Sequence, residues 1–463
     1  MAMLPGLCLM LPLGGCLLTD KPEPGLDIPQ AYDRGPKNPV VAEAALPPLD
    51  WWRSFRSREL TELIEEARSS NLDIAAAVAR IVQADAQARQ VGAALLPDVN
   101  LDGNAERDGT SQGAINALTV SLTASYEIDF WGKNRSALRA KEEKAVASRY
   151  DREVVGLAAV VATANAYFQV LASQDLLRVS RDNLQSATRV LNLIQQRLSA
   201  GTASALDTAQ QESVVNTQRA LIPPIERTLT QNRNALALLI ARPPEHVRIR
   251  GGSLRSIAYP RVTPGLPSEL LTQRPDIREA EAQLAAANAN VENARAQMLP
   301  SITLTGEGGY ASAVLRTLLR PEAAVYRIAA GLTQPIFDGG KLQGILDEQK
   351  GLQDELLQNY RKAVISGFTD VETALDGVRQ TALRERLQLD VVKSSRRAFE
   401  ISEQRLQQGT IDLVTVLQTQ QTLYTAELLH VQAQLEHVQS IVSLYQALGG
   451  GWLPKPVEAS NAR

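Results

Sequence analysis

The chain has 463 residues, with 48 Lys and Arg against 51 Asp and Glu, so no basic excess marks a nucleic-acid surface. Aromatic residues make up only 4%, and Ala, Leu, Val, Gln and Arg fill their place, a composition suited to long, closely packed helices. Both cysteines, Cys8 and Cys16, lie in the first sixteen residues, which leaves the remainder without a disulfide or a cysteine metal site.

In chain order, the first element is a secretory signal. Leu4 to Leu13 is an uncharged apolar run, closed by the small residues Gly14 and Gly15. Leu13-Gly14-Gly15-Cys16 resembles a bacterial lipoprotein box, in which cleavage before Cys16 leaves that cysteine to carry acyl chains, such as palmitate. The expected signal peptide is thus 1–15, although no Lys or Arg precedes Cys16 as is usual for such a segment. Leu17, rather than an aspartate, favours sorting to the outer membrane. An extended N-terminal arm is expected over 16–58, with Pro and Gly dense between Lys21 and Pro48.

The remainder reads as a duplication. Arg197-Leu198-Ser199-Ala200-Gly201-Thr202 recurs 208 residues later as Arg405-Leu406-Gln407-Gln408-Gly409-Thr410, and Lys133 maps onto Lys341 at the same offset. Leu96-Pro97-Asp98 pairs with Leu299-Pro300-Ser301. This period is far longer than a solenoid repeat, so two copies of a whole domain are expected: 59–248 and 268–448, joined by a linker over 249–267 and followed by a tail over 449–463. Each copy contains a helix, two strands forming a β-hairpin, and a long helical hairpin. Residues 59–95 and 268–298 read as helices that Pro97 and Pro300 terminate. No proline interrupts Lys133 to Gly201 or Lys341 to Gly409. One helix of that extent spans ~100 Å at ~1.5 Å per residue, which implies a coiled coil or helical tube. Leu177, Leu184, Leu191 and Leu198 keep heptad spacing, and Gly201 and Gly409 supply the reversals. Pro223-Pro224 is expected to break the return helix of the first copy.

From Ala117 to Asp129 the sequence alternates. Leu118, Val120, Leu122, Ala124, Tyr126 and Ile128 share one face; Thr119, Ser121, Thr123, Ser125 and Glu127 share the other. That pattern suits a transmembrane β-barrel strand, apolar toward lipid and polar toward a water-filled lumen. Shorter alternations at Val99–Asp102, Ile302–Thr305 and Tyr326–Thr333 bring the total to four strands per chain. Membrane barrels begin at about eight strands, and an open edge in lipid leaves backbone groups unpaired, so several chains must pool their strands. A soluble two-layer sheet is the competing reading. Val154 to Gln174 carries no charge and passes for a membrane helix, but its repeat counterpart holds Asp370, Glu372, Asp376 and Arg379, so a packed alanine-rich helix is expected.

These residues resemble the TolC-like outer-membrane efflux factors, in the lipoprotein branch of OprM-like and NodT-like proteins. The most specific segment is Leu270-Leu271-Thr272-Gln273-Arg274-Pro275-Asp276-Ile277, followed by Ala280-Glu281, Leu284 and Ala286-Ala287-Asn288-Ala289. Trp51-Trp52 with Phe55, and Pro335-Ile336-Phe337-Asp338-Gly339-Gly340, add to it. The resemblance implies a mostly α fold with a transmembrane β-barrel contribution. It implies a homotrimer, whose 12-stranded barrel continues into a 12-helix α-barrel reaching into the periplasm. The partners implied are a periplasmic adaptor protein and an inner-membrane efflux pump, with outer-membrane lipid around the barrel and no nucleic acid. In related channels carboxylates beyond the second turn narrow the entrance. Here the corresponding positions carry Gln418 and Gln421, so Val414 and Gln418 are expected to line a neutral periplasmic constriction, with Asp412 the nearest charge. Nothing resembles a nucleophile with its base. His246, His430 and His437 lack a companion carboxylate or thiol cluster, so no enzyme activity, cofactor or metal is expected. A type I protein-secretion duct, or a periplasmic coiled-coil adaptor without a pore, remain as alternatives.

Overall fold

The computed structural model describes residues 25–26, 28–29, 31–33, 48–111, 113–262, 267–450 and 452. Cys16 and the signal segment lie outside the described residues. The chain divides into two compact units. Among the described residues, unit 1 draws on 25–26, 80–149 and 279–362, and unit 2 on those of 28–79, 150–278 and 363–452.

Unit 1 holds the strands. β1 (Asp98–Thr110), β2 (Gly113–Ile128), β3 (Ser301–Ser312) and β4 (Ala324–Thr333) form one antiparallel sheet in the order β1-β2-β3-β4. The strands are longer than the clean alternation suggests, because β1 continues through Gly103 and Gly109 to pair with the start of β2. Each hairpin feeds a helix of 67 residues: α3 (Lys133–Ser199) and α7 (Lys341–Gln407). A carboxylate caps the start of each of these helices. Asp129 accepts from the backbone N–H of Asn134 and Arg135, each at 2.9 Å, and Asp338 accepts from Gly340 and Leu342, each at 2.9 Å. At Asp338 the N–H groups favour the ionised form and hold the carboxyl below its ordinary value.

At the far ends of α3 and α7 the chain reverses through Gly201 and Gly409, with φ of 72° and 73°, a left-handed backbone that suits glycine. Thr202 N–H donates to Arg197 O and Thr410 N–H to Arg405 O, closing the same helix-ending turn at both reversals. The return helices α4 (Ala205–Leu239) and α8 (Leu413–Ala447) each have 35 residues. Contrary to expectation, Pro223 and Pro224 lie inside α4 without breaking it. Both prolines, and Arg219 and Ala220 whose carbonyls lose their partners, are exposed in the single chain, so water can satisfy the freed groups.

The short helices are interrupted where continuity was expected. α1 (Arg58–Ser70) gives way to α2 (Leu72–Gly92) at Asn71, whose ψ of 130° is extended. Asn71 Oδ1 accepts from the N–H of Asp73 and Ile74, while its Nδ2 donates to Leu239 O at 2.8 Å. α5 (Pro267–Gln273) gives way to α6 (Pro275–Ala296) at Arg274.

The main core of unit 2 gathers Trp51, Phe55, Leu60, Ile64, Phe168, Leu171, Leu236, Val438 and Val442. The expected arm over 16–58 is therefore corrected at its end: 51–55 is a 3-10 turn whose Trp51, Trp52 and Phe55 are buried, with Trp51 stacked on Tyr445 at 4.7 Å. Three large apolar side chains gain too much from burial to remain in an extended tether. Along the uncharged stretch of α3, Val160, Val161, Ala164, Phe168, Val170 and Leu171 are buried inside the unit, which accounts for its hydropathy without a bilayer.

Candidate functional site

Over the alternating stretch of β2 the sheet of unit 1 sets mainly apolar side chains on one face and most of its polar ones on the other. Residues paired across an antiparallel ladder share a face. Leu122 faces Leu101 on β1 and Gly308 on β3, and Gly308 faces Tyr326 on β4. Ala124 faces Val99 and Gly306, and Gly306 faces Ile328. This apolar face is open: Leu101 is 72%, Leu122 56%, Tyr326 86% and Ile328 85% exposed, far more than a buried sheet layer allows.

On the opposite face stand all five of the polar β2 residues expected there. Thr119 pairs with Asn104, Ser121 with Asp102, Thr123 with Asn100 and Ser125 with Asp98, and on the other side Glu127 pairs with Thr303 and Thr123 with Glu307. Thr123 Oγ1 donates to the Asp102 carboxylate, and Lys133 pairs with Glu127 at 2.5 Å. Where strands meet helices, Trp131 donates its indole N–H to Pro300 O at 2.8 Å and stands edge-on to Phe130. Phe337, beyond β4, is 91% exposed.

At the second turn, Asp412 occupies the N-cap of α8. Its Oδ1 accepts from Thr415 N–H at 2.8 Å, and that bond holds the carboxyl below its ordinary value. Ser204 caps α4 in the equivalent place, 208 residues earlier. Along α8, Leu413, Val416, Gln420, Leu423 and Tyr424 turn inward. Val414, Gln418, Gln421 and Thr425 stay exposed, spaced at four, three and four residues, so they form one stripe. Gln421 Nε2 donates to Thr425 Oγ1 at 3.3 Å. The stripe carries no charge. Behind it Gln211 Nε2 donates to Ala187 O at 2.9 Å and lies 3.4 Å from Gln420 Oε1, joining α4 to α8.

The long-range partners of several positioning residues carry no signal in the sequence. Arg274 grips Asp276 at 3.0 and 2.6 Å, Asp370 at 2.9 Å and the Ala447 carbonyl at 3.2 Å. Burial alone would depress its pKa, but the carboxylates override this and raise it. The linker after α4 is held by three acids. Glu59 accepts from Arg250 and Gly251 N–H, Asp175 from Ser253 Oγ and Leu254 N–H, and Glu385 from Tyr259 Oη at 3.3 Å. His437 Nδ1 lies 2.6 Å from Glu385. Burial would raise the Glu385 pKa, yet that contact keeps it below the ordinary value. His430, on the same helix, is buried, which pushes its pKa down. Among the described residues, no group of three or more His, Cys, Asp or Glu side chains is placed to hold a metal.

The model of the outer membrane efflux protein family matches 63–242 and again 266–450. The pyoverdine export outer membrane protein OpmQ of Pseudomonas aeruginosa is 40% identical over 416 residues, covering 87% of each chain. The cation efflux system protein CusC of Escherichia coli is 29% identical over 459 residues, covering 96% of this chain and 98% of that one. Among solved structures, the outer-membrane channel OprN superposes with a TM-score of 0.89 at 24% identity, covering 95% of this chain and all of that one (100%). The open-state MtrE outer membrane channel of Neisseria gonorrhoeae gives a TM-score of 0.85 at 28% identity, covering 94% and 99%. That family consists of channels rather than enzymes. A two-faced sheet, two long helical hairpins and two family matches that together span most of the chain lead to one conclusion: the chain belongs to the outer membrane efflux protein family and is an outer-membrane channel of the tripartite efflux type.

Proposed function

We propose that three copies of this chain pool twelve strands into one barrel and twelve long helices into one tube, a passive duct through which a pyoverdine-type siderophore leaves the cell. The observation that carries this is the four-stranded sheet: mainly apolar on one face, mainly polar on the other and, among the described residues, unpaired along the outer edges of β1 and β4. Only closure with further copies satisfies those edges in lipid. The cargo reading rests on the relatives named for pyoverdine export, at 40% and 37% identity. Acyl chains on Cys16 anchor each copy, the two matched segments are duplicated domains, and the chain itself catalyses nothing. An inner-membrane pump, reached through a periplasmic adaptor, supplies the driving force.

A strain lacking this chain is expected to retain siderophore in the periplasm and to recover export when the gene is restored. Normal export without it removes the cargo assignment; purified protein that conducts no ions across a lipid bilayer removes the duct.

The uncharged stripe of Val414, Gln418 and Gln421 supports a constriction closed by packing and neutral hydrogen bonds. Val414→Ala combined with Gln418→Ala deletes both bulky groups while leaving the Asp412 cap intact. Single-channel conductance and uptake of large antibiotics should then rise several-fold; unchanged values for both exclude the stripe from the gate.

A further inference from the structure

The in-chain register determines how one copy must meet the next, given the three-copy barrel proposed above. Thr123 faces Asn100 on one side and Glu307 on the other, and Glu307 faces Arg327. A straight row thus crosses the sheet from Asn100 on β1 to Arg327 on β4. If Arg327 faced Asn100 of the neighbouring copy, the row would close on itself and the strands would not tilt. Real barrels tilt by about 35–45°, so β4 must slip along the neighbour's β1.

The pleat restricts the slip to even steps, since an odd one would set polar against apolar faces. With a rise of ~3.3 Å per residue and a strand spacing of ~4.8 Å, slips of four or six residues give tilts of about 35° and 46°. Slips of two and eight give about 19° and 54° on the same spacings. A slip of four in the opposite sense would put Arg327 opposite Leu96, before the start of β1 at Asp98. The permitted slips set Arg327 directly opposite Asn104 or Glu106. Cross-strand neighbours two residues apart remain within reach of a long side chain, so Glu106 is accessible to Arg327 in both.

The charges agree with this register. Arg327 is the sole charged residue of β4, and it stands on the polar face. The polar face of β1 carries Asp98, Asp102, Glu106 and Asp108 and no cation, since Arg107 belongs to the other face. Both Arg327 and Glu106 are exposed in the single chain, and among the described residues Arg327 has no ion pair. We propose that Arg327 of each copy pairs with Glu106 of the next, bridging it to its own Glu307, and that this contact fixes the register and tilt of the closed barrel.

A charge reversal tests the pairing. In detergent, Arg327→Glu and Glu106→Arg should each raise the monomer-to-trimer ratio about tenfold, and the double variant should restore the wild-type ratio. Single variants that assemble normally, or a double variant no better than either single one, overturn the pairing while leaving the three-copy barrel standing. A wild-type protein that is monomeric in both detergent and lipid overturns the barrel instead. The register is read independently by oxidation of paired cysteines. Arg327→Cys with Asn104→Cys or Glu106→Cys should yield covalent oligomers, whereas cross-linking of Arg327→Cys with Asp98→Cys in their place refutes the proposed slip.

Discussion

Replacing Leu122 with arginine should abolish assembly of the membrane form, while the same replacement one residue later, at Thr123, should leave assembly intact. Leu122 sits near the middle of β2, paired with Leu101, on the face that also carries Tyr326 and Ile328. An arginine near the bilayer midplane costs about 2–4 kcal/mol per chain, and a three-copy barrel bears that cost three times. Thr123 lies on the polar face between Asn100 and Glu307, where a cation meets water and carboxylates. The measurement is the fraction of heat-sensitive trimer recovered from outer membranes, with ion selectivity as a second readout for Thr123→Arg. Equal tolerance of both substitutions would mean that neither face meets lipid.

The second large effect is expected at Arg274. Arg274→Ala should lower stability by roughly 2–3 kcal/mol, toward the low end for a buried ion pair because its carboxylate partners are partly exposed. The guanidinium is only 11% exposed, whereas Asp276 is 37% and Asp370 51% exposed. Its removal strands the Asp276 carboxylate beside the first turn of α6 and leaves the Ala447 carbonyl without its donor. Arg274→Lys should recover only part of the loss, since an ammonium cannot fork onto Asp276 while also reaching Asp370. Thermal unfolding of the detergent-solubilised protein provides the comparison. Identical midpoints for wild type, Lys and Ala would show that the cluster contributes nothing to stability.

The Arg274-Pro275-Asp276 segment illustrates how far a motif can be read. Its sequence shows where a helix begins, because proline suits a first turn and an acid suits the positive helix end. What Arg274 does there depends on Asp370 and Ala447, separated from it by 96 and 173 residues. The same holds for Asn71. As one polar residue within a helical pattern it appeared harmless, yet its side chain caps α2 and reaches the Leu239 carbonyl, and the helix parts at that point. Pro223-Pro224 failed in the other direction. A double proline is a strong local signal for a break, but flanking turns packed through Gln218 and Leu229 carry α4 across it.

What the amino-acid order determined by itself was everything governed by short-range period. The 67-residue helices begin at Lys133 and Lys341 and end just before Gly201 and Gly409, and the two-residue alternation over 118–128 assigns each side chain to a face. Helical and pleated periodicity are properties of the backbone, so neighbouring residues suffice to reveal them. The sheet's register, the carboxylates that clasp the linker, and the row linking Asn100 to Arg327 were decided only by the tertiary structure. Within each hairpin the paired strands are neighbours in the chain, but the linker contacts join residues 79 and 192 positions apart and β2 meets β3 across the whole of α3 and α4; no local pattern constrains which partner such a long-range contact will find.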